Sequence, residues 1–282
     1  SAPPRVQTAR RGVVGILTIQ AAPSTRCEEA IDRPLRVRLG RSVEVVLLFI
    51  PVHDDNPLKS IPFQYVTVTL IAINVGVFVF TAMGIDPALV SSFAVRPNEL
   101  FLVNVVGGSA PVSNDLIAVP EAYTLVSYMF FHGDIWHLVG NMLFLWVFGD
   151  NVEDAVGHIK FLFFYLACGI FAALVHAYAV SGTPMSGVPL IGARGAVAGV
   201  ISAYLMLHPR VRVWVLALKV IPMQISAALV LGLWVLTQVV MVLMPQVGPV
   251  AWWAHIGGLV AGAVLILFLK RPGVPLFDRG LA

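Results

Sequence analysis

Side chains able to do chemistry sit at a few places inside apolar stretches of this 282-residue chain. His137 and Asn141 lie four residues apart in Ile135–Phe148, so on a helix they share one face. Gly192-Ala193-Arg194-Gly195 opens another apolar run, and His255 follows Ala254 in a third. An imidazole can take or give a proton, an amide can donate to a developing negative charge, and a guanidinium only donates. Polar and ionisable groups are costly in hydrocarbon, which makes each of these a functional candidate. Small residues recur every four positions at Gly195, Gly199 and Ala203, and again at Ala254, Gly258 and Gly262. Such faces let two helix backbones approach closely. Packed together, they would bring position 194 beside His255. The plain alternative is helix packing with a bystander histidine, but the polar residues stand at matching ends of the two faces.

Composition sets the surroundings. Hydrophobic residues make up 58%, charged residues 12%, and mean hydropathy is +0.87. Soluble domains carry about 25% charge, so this is a multispanning membrane protein rather than a soluble enzyme or a disordered chain. Six stretches can span: Tyr65–Met83, Ile135–Phe148, Ile159–Val180, Ile191–Leu207, Ile225–Met244 and Trp252–Leu269. The second and fourth are short and polar or glycine-rich, which places them inside the bundle. A connection of about 50 residues links the first two spans. Its apolar segments Ala88–Phe101 and Asp115–Phe131 must dock on something, at the outer membrane interface. Residues 1–43 have no sustained period and read as a disordered cytoplasmic tail; Val45–Val52 is too short to cross a bilayer. The organisation expected is a 1–52 extension, a 53–270 membrane domain and a 271–282 cytoplasmic tail.

Of 18 Lys and Arg residues, nine precede the first span, and most others follow the second, fourth and sixth. By the positive-inside rule both termini are cytoplasmic, in a multi-pass protein of the cell membrane. This distribution also accounts for the net charge of +3 without nucleic acid. Cys27 and Cys168 lie in unlike environments, so a structural disulfide is not expected.

The motifs together resemble the rhomboid family of intramembrane serine proteases. The matching pieces are His137-x-x-x-Asn141, Gly192-x-x-Gly195 and Ala254-His255-x-x-Gly258-x-x-x-Gly262, in this order on the right spans. His53-Asp54-Asp55-Asn56-Pro57-Leu58 is similar to the beginning of bacterial members, and the resemblance covers roughly residues 53–270. It implies an all-α six-span membrane bundle with a long first loop. It also implies a Ser–His dyad with His255 as general base, and an oxyanion hole from His137, Asn141 and the N–H groups of the Gly192–Gly195 turn. Neither cofactor nor metal is implied. The partners implied are single-span membrane proteins and the surrounding lipid.

The chain departs from that pattern where the serine belongs, because position 194 is Arg. A guanidinium stays protonated and cannot attack a carbonyl. It also stands at a helix N-terminus, where cations are disfavoured. Relief of its charge is expected from Asp134 in the first loop or from water in an open cavity. Ser202, a further eight residues along, lies about 12 Å deeper and off-face; Ser127, Ser181 and Ser186 have nothing to fix them. A metal site on His132, Asp134 and His137 lacks any accompanying His-Glu-x-x-His pattern. His158, His176 and His208 read as interfacial or packing residues, and Trp136, Trp214, Trp252 and Trp253 as an aromatic belt. The sequence thus implies a rhomboid scaffold without proteolysis, with two alternatives: a pseudoprotease that binds transmembrane helices, or an inactive point variant of an active enzyme.

Overall fold

The computed structural model describes residues 49–100, 116–117, 119–217, 220–244 and 251–278. Cys27, Lys219, Arg279, residues 101–115 and the proposed tail 1–43 lie outside the described residues. The fold is an all-α membrane bundle to which a small sheet is attached. Strand β1 (Phe49–Asp54) leads to α1 (Tyr65–Ala82) and a short α2 (Pro87–Ser92). Next come α3 (Glu121–Ser127), a 3-10 turn at Tyr128–Phe130, α4 (Ile135–Val156) and α5 (His158–Val180). Helix α6 (Arg194–Leu207) precedes the hairpin β2 (Arg212–Ala217) and β3 (Ile221–Ser226), then α7 (Ala227–Leu243) and α8 (Trp252–Leu269).

Each of the six apolar stretches overlaps one of the helices α1 and α4 to α8. Three helices (α1, α5 and α8) are long and apolar enough to cross a membrane, while α6 and α7 are shorter apolar helices. The edges differ from expectation in instructive ways. Helix α4 runs past Phe148 to Val156 because its terminal acids have backbone partners. Glu153 is fully buried and accepts from the N–H groups of Val66 (3.0 Å) and Thr67 (2.8 Å) and from the Thr67 hydroxyl (2.7 Å). Gln64, the N-cap of α1, makes no side-chain cap, so Glu153 satisfies those orphan donors from another helix. Asp154 accepts from the backbones of Lys59, Ser60 and Ile61 at 2.7–3.1 Å.

A small antiparallel sheet, β1-β2-β3, is added to the all-α bundle. It takes residues 49–52 out of the expected extension and Ile225 and Ser226 out of the fifth span. The order is right for a hairpin: Arg212–Ala217 alternates exposed and buried positions, with Val213 and Val215 inward. Asp54, at the end of β1, accepts from the Tyr204 hydroxyl (2.6 Å) and from Asn151 (3.0 Å). The long connection docks as its apolar segments require. Val95 and Leu190 exchange backbone hydrogen bonds (3.1 and 2.8 Å), and Met129 packs on Gly169.

The most extensive helix contacts are α8 with α6 and α8 with α5. The two small-residue faces meet. A Cβ on Gly258 would lie 1.9 Å from the Gly195 carbonyl oxygen, and one on Gly262 2.1 Å from that of Gly199. Both distances lie far inside van der Waals contact, so these backbones touch directly. Gly258→Leu is therefore expected to cost about 3 kcal/mol or more by overpacking, read as an SDS-unfolding midpoint; an unchanged midpoint would remove this contact from the account.

Burial pushes the Asp54 carboxyl up to about 6 from 3.8, against the pull of the Tyr204 hydrogen bond. A carboxyl whose folded pKa is raised favours the protonated folded state. Its destabilisation is absent below about pH 4 and complete above about pH 6. Asp54→Asn should thus be near neutral at about pH 4 and stabilising by roughly 2 kcal/mol at about pH 8, measured as unfolding midpoints at the two pH values.

Candidate functional site

Helix α6 begins at Arg194, and its N-cap residue Ala193 offers no side-chain cap. The turn before it is held from two sides. Gly192 has φ +106°, and its N–H donates to the Tyr128 carbonyl at 2.9 Å. A Cβ on Gly192 would come within 2.4 Å of His137 Nε2, so only glycine lets the imidazole lie against the turn. The Ala193 N–H points to Nε2 of buried His132 at 3.5 Å, and the His132 and His137 rings meet edge to face at 4.9 Å. His132 thus belongs to the support of the turn, a role that the sequence did not indicate.

His137 occupies the first turn of α4, whose N-cap Asp134 accepts from the His137 N–H at 2.9 Å. Asn141, one turn on, is buried and donates to the His137 carbonyl at 2.9 Å. The expected shared face of His137 and Asn141 is therefore present.

His255 lies in the first turn of α8 and is 6% exposed. Its Nδ1 is 2.6 Å from Gln238 Oε1 on α7. Trp252 meets the imidazole edge-on at 5.7 Å, and Trp234 lies at 5.9 Å. Trp252 is buried against the histidine, which corrects its assignment to an aromatic belt; Trp136 is 80% exposed, as that belt requires. Gln238 and Trp234 were not singled out from the sequence. Gln238 carried a usable signal, an amide in the middle of an apolar span.

Contact of Gly195 with Ala254 and Gly258 brings the start of α6 against the His255 end of α8. Arg194 is half-buried, and its charge acts on His132, His137 and His255. Among the described residues no carboxylate comes within ion-pair distance of its guanidinium. Asp134 attracts it from farther away while its carboxylate caps α4, so of the two expected sources of relief Asp134 makes no direct pair. Ser202 donates to the Gly199 carbonyl at 3.0 Å and Ser127 to that of Phe93 at 2.8 Å. Both hydroxyls are thus committed locally. Ser181 caps α5, and Ser186 lies in the 3-10 turn Pro184–Gly187. His158 and His208 are bound to Glu153 and Asp278, which is more than packing; His176 is buried in α5. No group of three or more potential metal ligands forms among the described residues.

The rhomboid domain model matches residues 119–272, more than half of the chain and all of the helices that carry these groups. The chain belongs to the rhomboid family. The match begins after α1, later than the resemblance from residue 53. Curated relatives agree. RHOMBOID-like protein 12, mitochondrial, of Arabidopsis thaliana is 26% identical over 73% of this chain and 59% of its own length. Rhomboid protease GluP of Bacillus subtilis is 34% identical over 37% of this chain and 21% of its own. Rhomboid protein 1, mitochondrial, of Saccharomyces cerevisiae is 29% identical over 34% of this chain and 28% of its own. The chain therefore spans between about a fifth and three fifths of these relatives' lengths. A rhomboid scaffold in a membrane is established, and two of these relatives are named mitochondrial.

The rhomboid turn makes a direct stability comparison possible. Gly192→Ala should cost about 2 kcal/mol or more, combining positive φ with displacement of His137. Gly182 also has positive φ (+73°) but has nothing within 4 Å of a built Cβ. Gly182→Ala should cost only about 1 kcal/mol. Equal unfolding midpoints for the two variants would mean that His137 does not press on the turn.

Proposed function

We propose that this chain is a rhomboid intramembrane endopeptidase scaffold that receives transmembrane segments of other membrane proteins and, with Arg194 in place of the nucleophile, does not cut them. The observation that carries the reading is the seating of position 194. It opens α6 two residues after Gly192, whose backbone lies against His137, on the helix that packs against the His255 end of α8.

In this reading His255 is the general base, His137 and Asn141 complete an oxyanion hole, and Gly192 and Gly195 shape the turn. A peptide carbonyl above the turn would develop negative charge toward the N-terminus of α6, where unpaired N–H groups and the helix dipole favour it. Attack needs a lone pair on the residue at 194, activated by an adjacent base. A guanidinium has none to give. The partners are single-span membrane proteins, met within the lipid; one relative is named a rhomboid protease, which supports this kind of target. The helices α1 and α4 to α8 would form six spans of a multi-pass cell-membrane protein, with both termini on the cytoplasmic side, as the Lys and Arg distribution supports. Neither a cofactor nor a metal enters the reading.

The preserved surroundings of position 194 favour a protease inactivated at one residue over a scaffold remodelled for binding. Its glycines, both histidines and the His255–Gln238 hydrogen bond are all in place. The test compares this chain with Arg194→Ser in vesicles carrying a single-span reporter. The Ser variant should cleave and take a fluorophosphonate label. The Arg chain should be slower by at least about a thousandfold, the usual scale for removing a nucleophile. Comparable cleavage by both proteins defeats the proposal, as does a Ser variant that neither cleaves nor labels.

A further inference from the structure

Helix α7 buries only Ala227, Val230, Leu231 and Gln238, and the last of these is the one polar member. Gln238 is 1% exposed, and both ends of its amide are engaged. Its Nε2 donates to the Trp234 carbonyl at 3.0 Å and to the Thr237 hydroxyl oxygen at 3.0 Å. The Thr237 hydroxyl itself donates to the Trp234 carbonyl at 2.6 Å, which leaves its oxygen free to accept. These contacts fix the orientation of the amide. Turned over, its carbonyl oxygen would face the Trp234 carbonyl, acceptor against acceptor, and the NH2 would have no acceptor on α7. The oxygen must therefore point to His255 Nδ1, at 2.6 Å. A carbonyl oxygen can only accept, so Nδ1 must carry the proton.

We infer that Gln238 is a positioning residue that locks His255 in the Nδ1–H tautomer, leaving Nε2 as the nitrogen with a free lone pair. The inference rests on His255 being the base of the proposed reaction. It adds what a two-residue nucleophile–base pair lacks, a third group that orients the base. Trp252, edge-on to the ring, and Trp234 hold its plane, but neither offers an acceptor to select a nitrogen. Selection falls to Gln238 alone among the described partners of Nδ1. Because the amide sits on α7 and the imidazole on α8, the bond also ties the orientation of the base to the seating of a helix that buries little else.

Two measurements decide the inference. The first uses the chain with Arg194, reconstituted with 15N-labelled histidine. The His255 signals are those lost in His255→Gln. The expected spectrum has a protonated Nδ1 and an unprotonated Nε2. Gln238→Met keeps the volume but removes the acceptor, and should release His255 to a mixture of tautomers. Gln238→Glu keeps an acceptor oxygen and should preserve Nδ1–H. An Nε2–H signal in the parent chain, or an unchanged tautomer in Gln238→Met, overturns the inference.

The second measurement adds the same substitutions to Arg194→Ser. Gln238→Met should lower kcat roughly tenfold to a hundredfold, less than loss of the base itself, with the reporter KM unchanged. Gln238→Glu should restore most of the rate. An active Ser variant indifferent to Gln238→Met sinks the positioning role and leaves the proposed function standing. An inactive Ser variant sinks the proposed function, while the nitrogen spectra still decide the tautomer.

Discussion

Two helix backbones meet in this molecule with no side chain between them. Gly258 and Gly262 of α8 press on the Gly195 and Gly199 carbonyls of α6, at distances no side chain could share. In a membrane, helices gain little from expelling water, so such packing must come from close contact and satisfied polar groups. This contact fixes how far α8 stands from the start of α6, and with it the distance between position 194 and His255. Cys168 and Ala172 of α5 fill the other side of the same glycines, so α6 is clasped between two neighbours. Everything polar at the site is mounted on that clasp.

At the opposite end of α4 the same problem, backbone donors without water, is solved with carboxylates. A helix C-terminus repels anions, and Glu153 and Asp154 would be unfavourable there unaided. They are held because each collects several N–H groups from α1 or from the loop before it. His158 adds a further partner to Glu153 at 2.5 Å. One end of α4 therefore anchors α1, and the other presents His137 to the turn. A single rigid helix connects the fastening to the site, and a shift at either end would be felt at the other.

Much of this was legible in sequence because hydrocarbon forbids casual polarity. His137, Asn141, Arg194 and His255 stood out against apolar surroundings, and four-residue spacing of glycines indicated which faces meet. What the sequence could not reveal depended on partners distant along the chain. Glu153 and Asp154 lie beyond the expected end of the second span, and their donors lie 86–95 residues earlier. Strand β1 looked like a helix too short to cross, since its pairing with β2 is separated by more than 150 residues. Trp252 sat where an interfacial ring would sit, and only the tertiary contact with His255 turned it inward. Asp134 looked like a counter-ion for Arg194, but the local N–H of His137 lies closer and is fixed by the helix start.

The arrangement also explains how a cation can occupy position 194 without the site collapsing around it. Among the described residues, the hydrogen bonds and glycine contacts that shape the turn do not use that side chain. Gly192 is held by the Tyr128 carbonyl and by His137, Gly195 by α5 and α8, and His255 by Gln238. Arg194 stands half-buried at the start of α6, outside these contacts. Framework and side chain are therefore separable. The glycines and buried hydrogen bonds determine the geometry of the site, and in the proposed reading the residue at 194 decides whether that geometry can break a bond.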